Sequence, residues 1–216
     1  MFLFSKRKGI ALASFPRSGN TWLRFLIEEA TGEKTGSIYT DRIMPRERNG
    51  IVIKTHKVDS KNYKRAVLIV RHPFDAIESY FHWKIDIAGK TNIEWNQHVS
   101  NEILYWEEHT RHWMNASIPV LLVRYEDIKT NPTYQLNKIL NWIDFPCEES
   151  KVKSAVKASS LQNLRKKNSK LGDRFFRSGK SGQSLNRFSV KQKETLSSKC
   201  RDLLAELEYN VDITET

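Results

Sequence analysis

Four short, mostly apolar runs constrain this chain most: residues 9–15 (GIALASF), 51–54 (IVIK), 66–71 (AVLIVR) and 120–125 (VLLVRY). Each is short and enriched in β-branched residues, the pattern of strands buried on both faces. Helical patterns lie between and after them, over 20–30, 73–86, 93–115, 132–143, 148–158 and 190–207. Strands alternating with helices predict an α/β fold with right-handed crossovers, a central parallel sheet flanked by helices in three layers.

Ligands of such sheets sit beyond the carboxyl ends of the strands. The residues following each run are therefore the ones to inspect. They are Pro16-Arg17-Ser18-Gly19, Thr55-His56, His72-Pro73 after Arg71, and Glu126-Asp127 after Tyr125. Basic and hydroxyl groups from separate parts of the chain are expected to converge on one rim.

A length of 216 residues suits one domain over 1–216, with a core over 8–190 and a C-terminal helix over 190–216. Hydrophobic residues at 39% and aromatics at 11% exclude wholesale disorder. The formal charge of +11, from 36 Lys and Arg against 25 Asp and Glu, points to an anionic partner. Nucleic acid, a polyanionic glycan, an acidic membrane and a small polyphosphate all qualify on charge alone. Cys147 and Cys200 stand far apart in no metal-ligand spacing, and read as free thiols of a reducing compartment. The start of the chain is too short in apolar residues for a signal-peptide core, and no later stretch approaches the ~20 apolar residues of a membrane span. A soluble, cytoplasmic protein without a transmembrane segment is expected. Charge and sequence leave oligomeric state open.

The segment SFPRSGNTWLR, 14–24, joins the first strand to the first helix. A glycine-bearing turn there aims backbone N–H groups and the positive end of a helix dipole at one spot, where anions bind. Gly19 permits close approach of the backbone, Ser18 and Thr21 supply hydroxyls, and Arg17 supplies a guanidinium fork suited to phosphate or sulfate oxygens. A Walker A loop would carry Lys where Asn20 stands, and would use it on β and γ phosphates. A magnesium triphosphate is thus a poor fit for this P-loop-like turn. A ligand with a single phosphate beside the turn fits better.

The stretch Pro16-Arg17-Ser18-Gly19-Asn20-Thr21-Trp22 resembles the 5′-phosphosulfate loop, P-[KR]-S-G-[TN]-T-W, of sulfotransferases that use 3′-phosphoadenosine 5′-phosphosulfate (PAPS). Three further segments follow in that family's order. Arg71 at a strand end, with Ser79 on the next helix, is similar to the family's 3′-phosphate site. Lys54-Thr55-His56 resembles the Lys-Thr-His of cytosolic members, in which the histidine is the general base. Tyr125, in VLLVRYED, corresponds to a tyrosine near the adenine. The basic stretch 161–188 reads by itself as a solvated loop. Its part FFRSGKSGQSLNRF resembles the family's donor-covering segment, and the resemblance makes Arg177 and Gly179 donor-binding residues. Ser184 stands there in place of the usual Trp, and Ser178 in place of a common Lys.

The resemblance implies a PAPS-dependent sulfotransferase with PAP as product and no metal. Its implied site is Arg17, Ser18, Gly19, Asn20, Thr21, Trp22, Arg71, Ser79, Tyr125, Arg177 and Gly179 for the donor, with His56, Lys54 and Arg17 catalytic. An imidazole with an ordinary pKa near ~6.5 accepts a proton from an attacking hydroxyl or amine at neutral pH. Glu78 or Glu126 is the fallback base. The acceptor is expected to be a glycan or another hydroxyl compound, since residues 15–39 look closer to carbohydrate-directed members, including the sulfotransferase portion of WSC-domain-containing proteins, than to members acting on small phenols. A P-loop kinase of small molecules and a basic nucleic-acid-binding protein are the competing readings. The missing Walker lysine weighs against the kinase, and the lack of a recognition motif leaves nucleic acid unexpected as a partner.

Overall fold

The computed structural model describes residues 8–40, 44, 49–167, 175, 182 and 184–210. Its sheet has five parallel strands: β1 (Lys8–Ser14), β2 (Gly36–Ser37), β3 (Val52–Thr55), β4 (Tyr63–Val70) and β5 (Val120–Arg124). They lie in the order β2-β3-β1-β4-β5. The chain leaves β1 through α1 (Asn20–Thr31), runs to the sheet edge for β2, returns to β3 beside β1, then crosses to the other side of β1 for β4 and β5. That reversal of winding opens a crevice beyond the carboxyl ends of β1 and its neighbours.

Strand alternation divides the apolar side chains between two cores. Along β4, Ala66, Leu68 and Val70 enter one, while Val67 and Ile69 enter the other. The first core is closed by α2 (Pro73–Asp86), α3 (Trp95–Met114) and α8 (Val190–Glu206), through Phe74, Ile77, Trp106, Trp113, Leu196 and Leu203. The second is closed by α1, α4 (Tyr125–Thr130), α5 (Pro132–Trp142) and α6 (Glu149–Ala158), through Leu23, Leu26, Ile27, Leu136, Ile139 and Val152. The three-layer α/β architecture is as the alternation of runs predicts.

Local signals set most boundaries. Pro73 occupies the first turn of α2, where its missing N–H costs nothing. The Glu94 carboxylate accepts from the Asn96 and Gln97 amides and starts α3 two residues later than the pattern implied. Ser189 and Gln192 form a reciprocal capping box on α8. Three elements depart from the sequence reading. Tyr125 opens α4 instead of ending a strand, and Glu126 and Asp127 in that first turn favour a helix N-terminus. Residues 161–167 are helical, not loop: α7 (Leu161–Lys167) buries Leu164 and ends on Arg165, Lys166 and Lys167, complementing the helix dipole. Strand β2, two residues long, is too short to register as a period. Among the described residues no helix is long and apolar enough to cross a membrane.

Candidate active site

The turn between β1 and α1 is shaped by two left-handed residues. Arg17 has φ 68°, costly for a side chain with a Cβ, and Gly19 has φ 96°. A Cβ on Gly19 would stand 2.5 Å from Cδ2 of Tyr125, so glycine is required there by both the backbone and its neighbour. Alternating left- and right-handed residues turn successive N–H groups toward one concavity, a nest for anions. The first turn of α1 carries no acidic residue, and Gly19 provides no side-chain cap. Ser18 Oγ is buried without a hydrogen-bond partner among the described residues. A buried hydroxyl left in this condition fits a ligand oxygen that completes it. The turn therefore suits the phosphosulfate end of a donor such as PAPS.

Two predicted anion contacts meet this turn. Arg71, at the end of β4, donates from Nη1 to the carbonyl oxygen of Arg17 at 3.1 Å, and its guanidinium stacks 4.6 Å from the Tyr125 ring centre. Arg17 donates from Nε to Ser79 Oγ on α2 at 3.2 Å. Trp22 meets Tyr125 edge-on at 5.9 Å and anchors its indole N–H on Ser159 O at 3.0 Å. Arg17, Gly19, Trp22, Arg71, Ser79 and Tyr125 are thus brought together. Thr21 is buried in the first turn of α1. Arg177 and Gly179 lie outside the described residues. Their neighbour Phe175 receives a hydrogen bond on its carbonyl from Arg17 Nη2 at 2.5 Å, with its ring 4.2 Å from the same guanidinium.

Asn20 has a different orientation from that of a ligand-facing lysine. Its Nδ2 donates inward to Leu12 O at 2.8 Å and to Ser14 Oγ at 3.1 Å, tying the helix start to β1. Its backbone N–H still belongs to the open helix terminus. The side chain that replaces the Walker lysine is thus a tie within the turn.

His56 follows β3 directly and is held on several sides. Nδ1 lies 2.6 Å from Ser14 O and 3.3 Å from Ser14 Oγ. A carbonyl oxygen only accepts, so Nδ1 carries the proton in the neutral ring and Nε2 carries the lone pair. The His56 N–H donates to Tyr39 Oη at 3.0 Å, and the Tyr39 ring stacks on the imidazole at 5.2 Å with 28° between planes. Tyr105 Oη donates to His56 O. Burial pushes the Tyr105 phenol up to about 12, which keeps it a donor at neutral pH. Lys54, in register with Leu12 on β1, is buried one residue before the end of β3. Both fallback carboxylates are committed elsewhere. Glu126 accepts from the His72 amide at 3.1 Å and from Tyr209 Oη at 2.8 Å, and Glu78 accepts from Ser184 Oγ and from Arg187 at 2.7 Å.

Ser14, Tyr39 and Tyr105 escape sequence reasoning. Ser14 sits inside the first apolar run, and Tyr39 and Tyr105 lie in no motif; only the proximity of each to a motif residue in three dimensions marks it. A cavity of about 470 Å³ between α2 and α3 is lined by Tyr80, Trp83, Asn92, Gln97, Asn101 and Glu102 among others. Tyr80 touches Phe15 edge-on at 5.8 Å and Phe15 touches Tyr105 at 5.6 Å, so a chain of three aromatic rings joins the cavity wall to the His56 loop.

A winding reversal, an uncapped phosphate-type turn and a histidine held at Nδ1 thus gather at the carboxyl ends of the central strands. The sulfotransferase domain model matches residues 51–208, and the chain belongs to that family. It is 35% identical over 169 residues to a WSCD family member of Drosophila melanogaster, covering 68% of this chain and 53% of that protein. It is 25% identical over 199 residues to sulfotransferase 1A1 of Bos taurus, covering 73% and 66%. The chain spans about half the length of the WSCD relatives it matches. Among solved structures, mouse sulfotransferase SULT7A1 complexed with PAP superposes with a TM-score of 0.70 at 24% identity, over 90% of this chain and 85% of that one. Retinol dehydratase in complex with androsterone and PAP gives 0.67 at 15%, over 94% and 82%. These two similarities establish the shared fold.

Proposed function

We propose that the chain transfers a sulfuryl group from PAPS to a hydroxyl of a carbohydrate acceptor, with His56 as general base. The observation that carries this is the meeting of the Arg17–Thr21 turn, Arg71 and Ser79 beside a histidine whose Nδ1 is held on Ser14 O. When bound, PAPS would supply an activated sulfur on a good leaving group; the protein supplies position and charge.

Arg17, the backbone amides of Ser18 to Thr21 and Lys54 hold the phosphosulfate. Arg71 and Ser79 hold the 3′-phosphate, and Tyr125 and Trp22 flank the adenosine. His56 Nε2 takes the acceptor proton while Ser14 O keeps accepting the hydrogen bond of Nδ1–H, so the positive charge of the imidazolium forms where an acceptor oxygen already waits. Lys54 and Arg17 face the charge that grows on the leaving oxygen. The acceptor reading is supported by the chemistry of the cavity between α2 and α3. Sugar rings present apolar C–H faces and a fringe of hydroxyls, matched by Trp83 and Tyr80 with the Asn92, Gln97 and Asn101 amides.

Mass spectrometry of a glycan, lipid-linked-sugar and small-alcohol panel incubated with PAPS tests the activity: one acceptor should gain one SO₃ unit, and no gain anywhere refutes it. Arg71→Ala should lose the preference for PAPS over adenylyl sulfate lacking the 3′-phosphate. Unchanged preference would remove Arg71 from the donor site.

A further inference from the structure

The Nδ1 hydrogen bond to Ser14 O sets the tautomer of the imidazole. The ring plane is a separate coordinate: small rotations about the N–H···O line leave that bond intact and swing Nε2 off the acceptor's path. A neighbour packed on the ring face, together with a fixed backbone from which the ring hangs, keeps Nε2 on line.

We propose that Tyr39 is the positioning residue that supplies both. This inference rests on the reading of His56 as the base. The Tyr39 ring, 28° from parallel with the imidazole at 5.2 Å, blocks rotation about the hydrogen-bond line. Its hydroxyl accepts the His56 N–H at 3.0 Å and has the Thr55 side chain as a further partner, which fixes the main chain just before the side chain departs. Tyr105 completes the brace at the His56 carbonyl.

Tyr39 is itself well mounted. Ser37 Oγ accepts the Tyr39 N–H at 3.1 Å and donates to Tyr39 O at 3.0 Å, closing a tight turn at the end of β2. The Ile38 N–H reaches Lys54 O at 3.3 Å and extends the sheet edge toward His56. Strand β2, only Gly36–Ser37, thereby gains a use: it carries one tyrosine to the flank of one histidine. Tyr39 contributes to neither apolar core, so its removal need not unfold the chain. A mere packing role is therefore a poor account of this side chain.

The test uses Tyr39→Leu, which loses ring and hydroxyl, and Tyr39→Phe, which keeps the ring, each alone and combined with His56→Ala. Long-range ¹H–¹⁵N NMR of the full chain reads the His56 tautomer without donor or turnover. The wild type and Tyr39→Leu should both show the Nδ1–H form, which Ser14 O sets, but Tyr39→Leu should show clearly lower ¹³C order parameters for the His56 ring C–H groups. Tyr39→Phe should keep one tautomer but expose the His56 amide to faster hydrogen exchange, which decides the matter if the Leu variant does not fold. Sulfate release from PAPS, with water as the acceptor, should fall about 10-fold in Tyr39→Leu and about 3-fold in Tyr39→Phe, with PAP affinity by calorimetry unchanged. In the His56→Ala background neither variant should cost anything more, because the two residues act as one unit. Unaltered ring order parameters in Tyr39→Leu, unaltered amide exchange in Tyr39→Phe, or equal fractional losses in both backgrounds overturns the inference alone. A His56→Ala variant as fast as wild type overturns the base assignment and, with it, this inference.

Discussion

The two faces of the sheet are built from different chemistry. The face under α1, α5 and α6 is aliphatic: Leu12, Val67 and Ile69 meet Leu23, Leu26, Ile27, Leu136 and Ile139. The face under α2, α3 and α8 is rich in aromatic and polar groups, and α3 reaches through it to loop carbonyls at several levels. Trp106 Nε1 donates to Arg71 O at 3.1 Å, Tyr105 Oη to His56 O, and Trp113 Nε1 to Lys57 O at 2.9 Å. His112 Nε2 accepts from the Ser60 amide at 3.1 Å. One face supplies non-directional burial, and the other supplies directional bonds that hold the residues after β3 and β4 in place. Stability and site geometry are thereby assigned largely to opposite sides of one sheet.

The largest effect should come from the aliphatic side. Leu26→Ala removes buried methyl groups from a close-packed core and should lower stability by ~2–5 kcal/mol in urea unfolding, while the folded fraction binds PAP as before. Weakened PAP affinity in that folded fraction would break the division of labour. His56→Ala makes the converse test at the site: turnover should fall about 100-fold or more, near 2.7 kcal/mol, with thermal midpoint and PAP affinity nearly unchanged.

Acid should loosen the aromatic side selectively. His109 is fully buried, and burial, with His112 nearby, pushes its pKa down to about 3. The unfolded chain protonates this group near ~6.5, so the unfolded state binds more protons as pH falls below that value. The His109 contribution is whole above pH 6.5 and declines toward about 3, amounting to a loss of about 2 kcal/mol by pH 5. His109→Phe should flatten the curve of urea midpoint against pH in this window; a residual slope is expected from His72 and His98, which burial shifts the same way. An unaltered slope would remove His109 from the account. The smallest effect is that of Trp113→Phe, which keeps an aromatic ring but loses the indole N–H bond to Lys57 O and part of the buried volume, about 1–2 kcal/mol of stability. If α3 locates the His56 loop, turnover in this variant should drop about 3-fold with PAP affinity intact.

The same contrast explains what could be read from the chain directly. Apolar runs such as 66–71 announce strands because both their faces are buried, and Pro73 and Ser189 announce helix starts through chemistry confined to one turn. The proposed donor turn was legible for a related reason: residues 16–22 form one continuous stretch of backbone, so the structural unit is also a sequence unit. The proposed base was legible only as one histidine at a strand end. What gives it a tautomer and an orientation comes from Ser14, Tyr39 and Tyr105, separated along the chain and joined only by the sheet order. Asn20 shows the limit from the other side: its position in the motif marks a ligand contact, but its amide points into β1. A motif records where a residue stands and leaves its direction to packing.

The backbone of Arg17 has a consequence for substitution. At φ 68° a glycine would relieve the turn of about 1 kcal/mol of conformational strain while deleting the guanidinium that reaches Ser79 and Phe175. Arg17→Gly would therefore exchange that strain for the loss of both bonds, and the turnover proposed for this site would go with them.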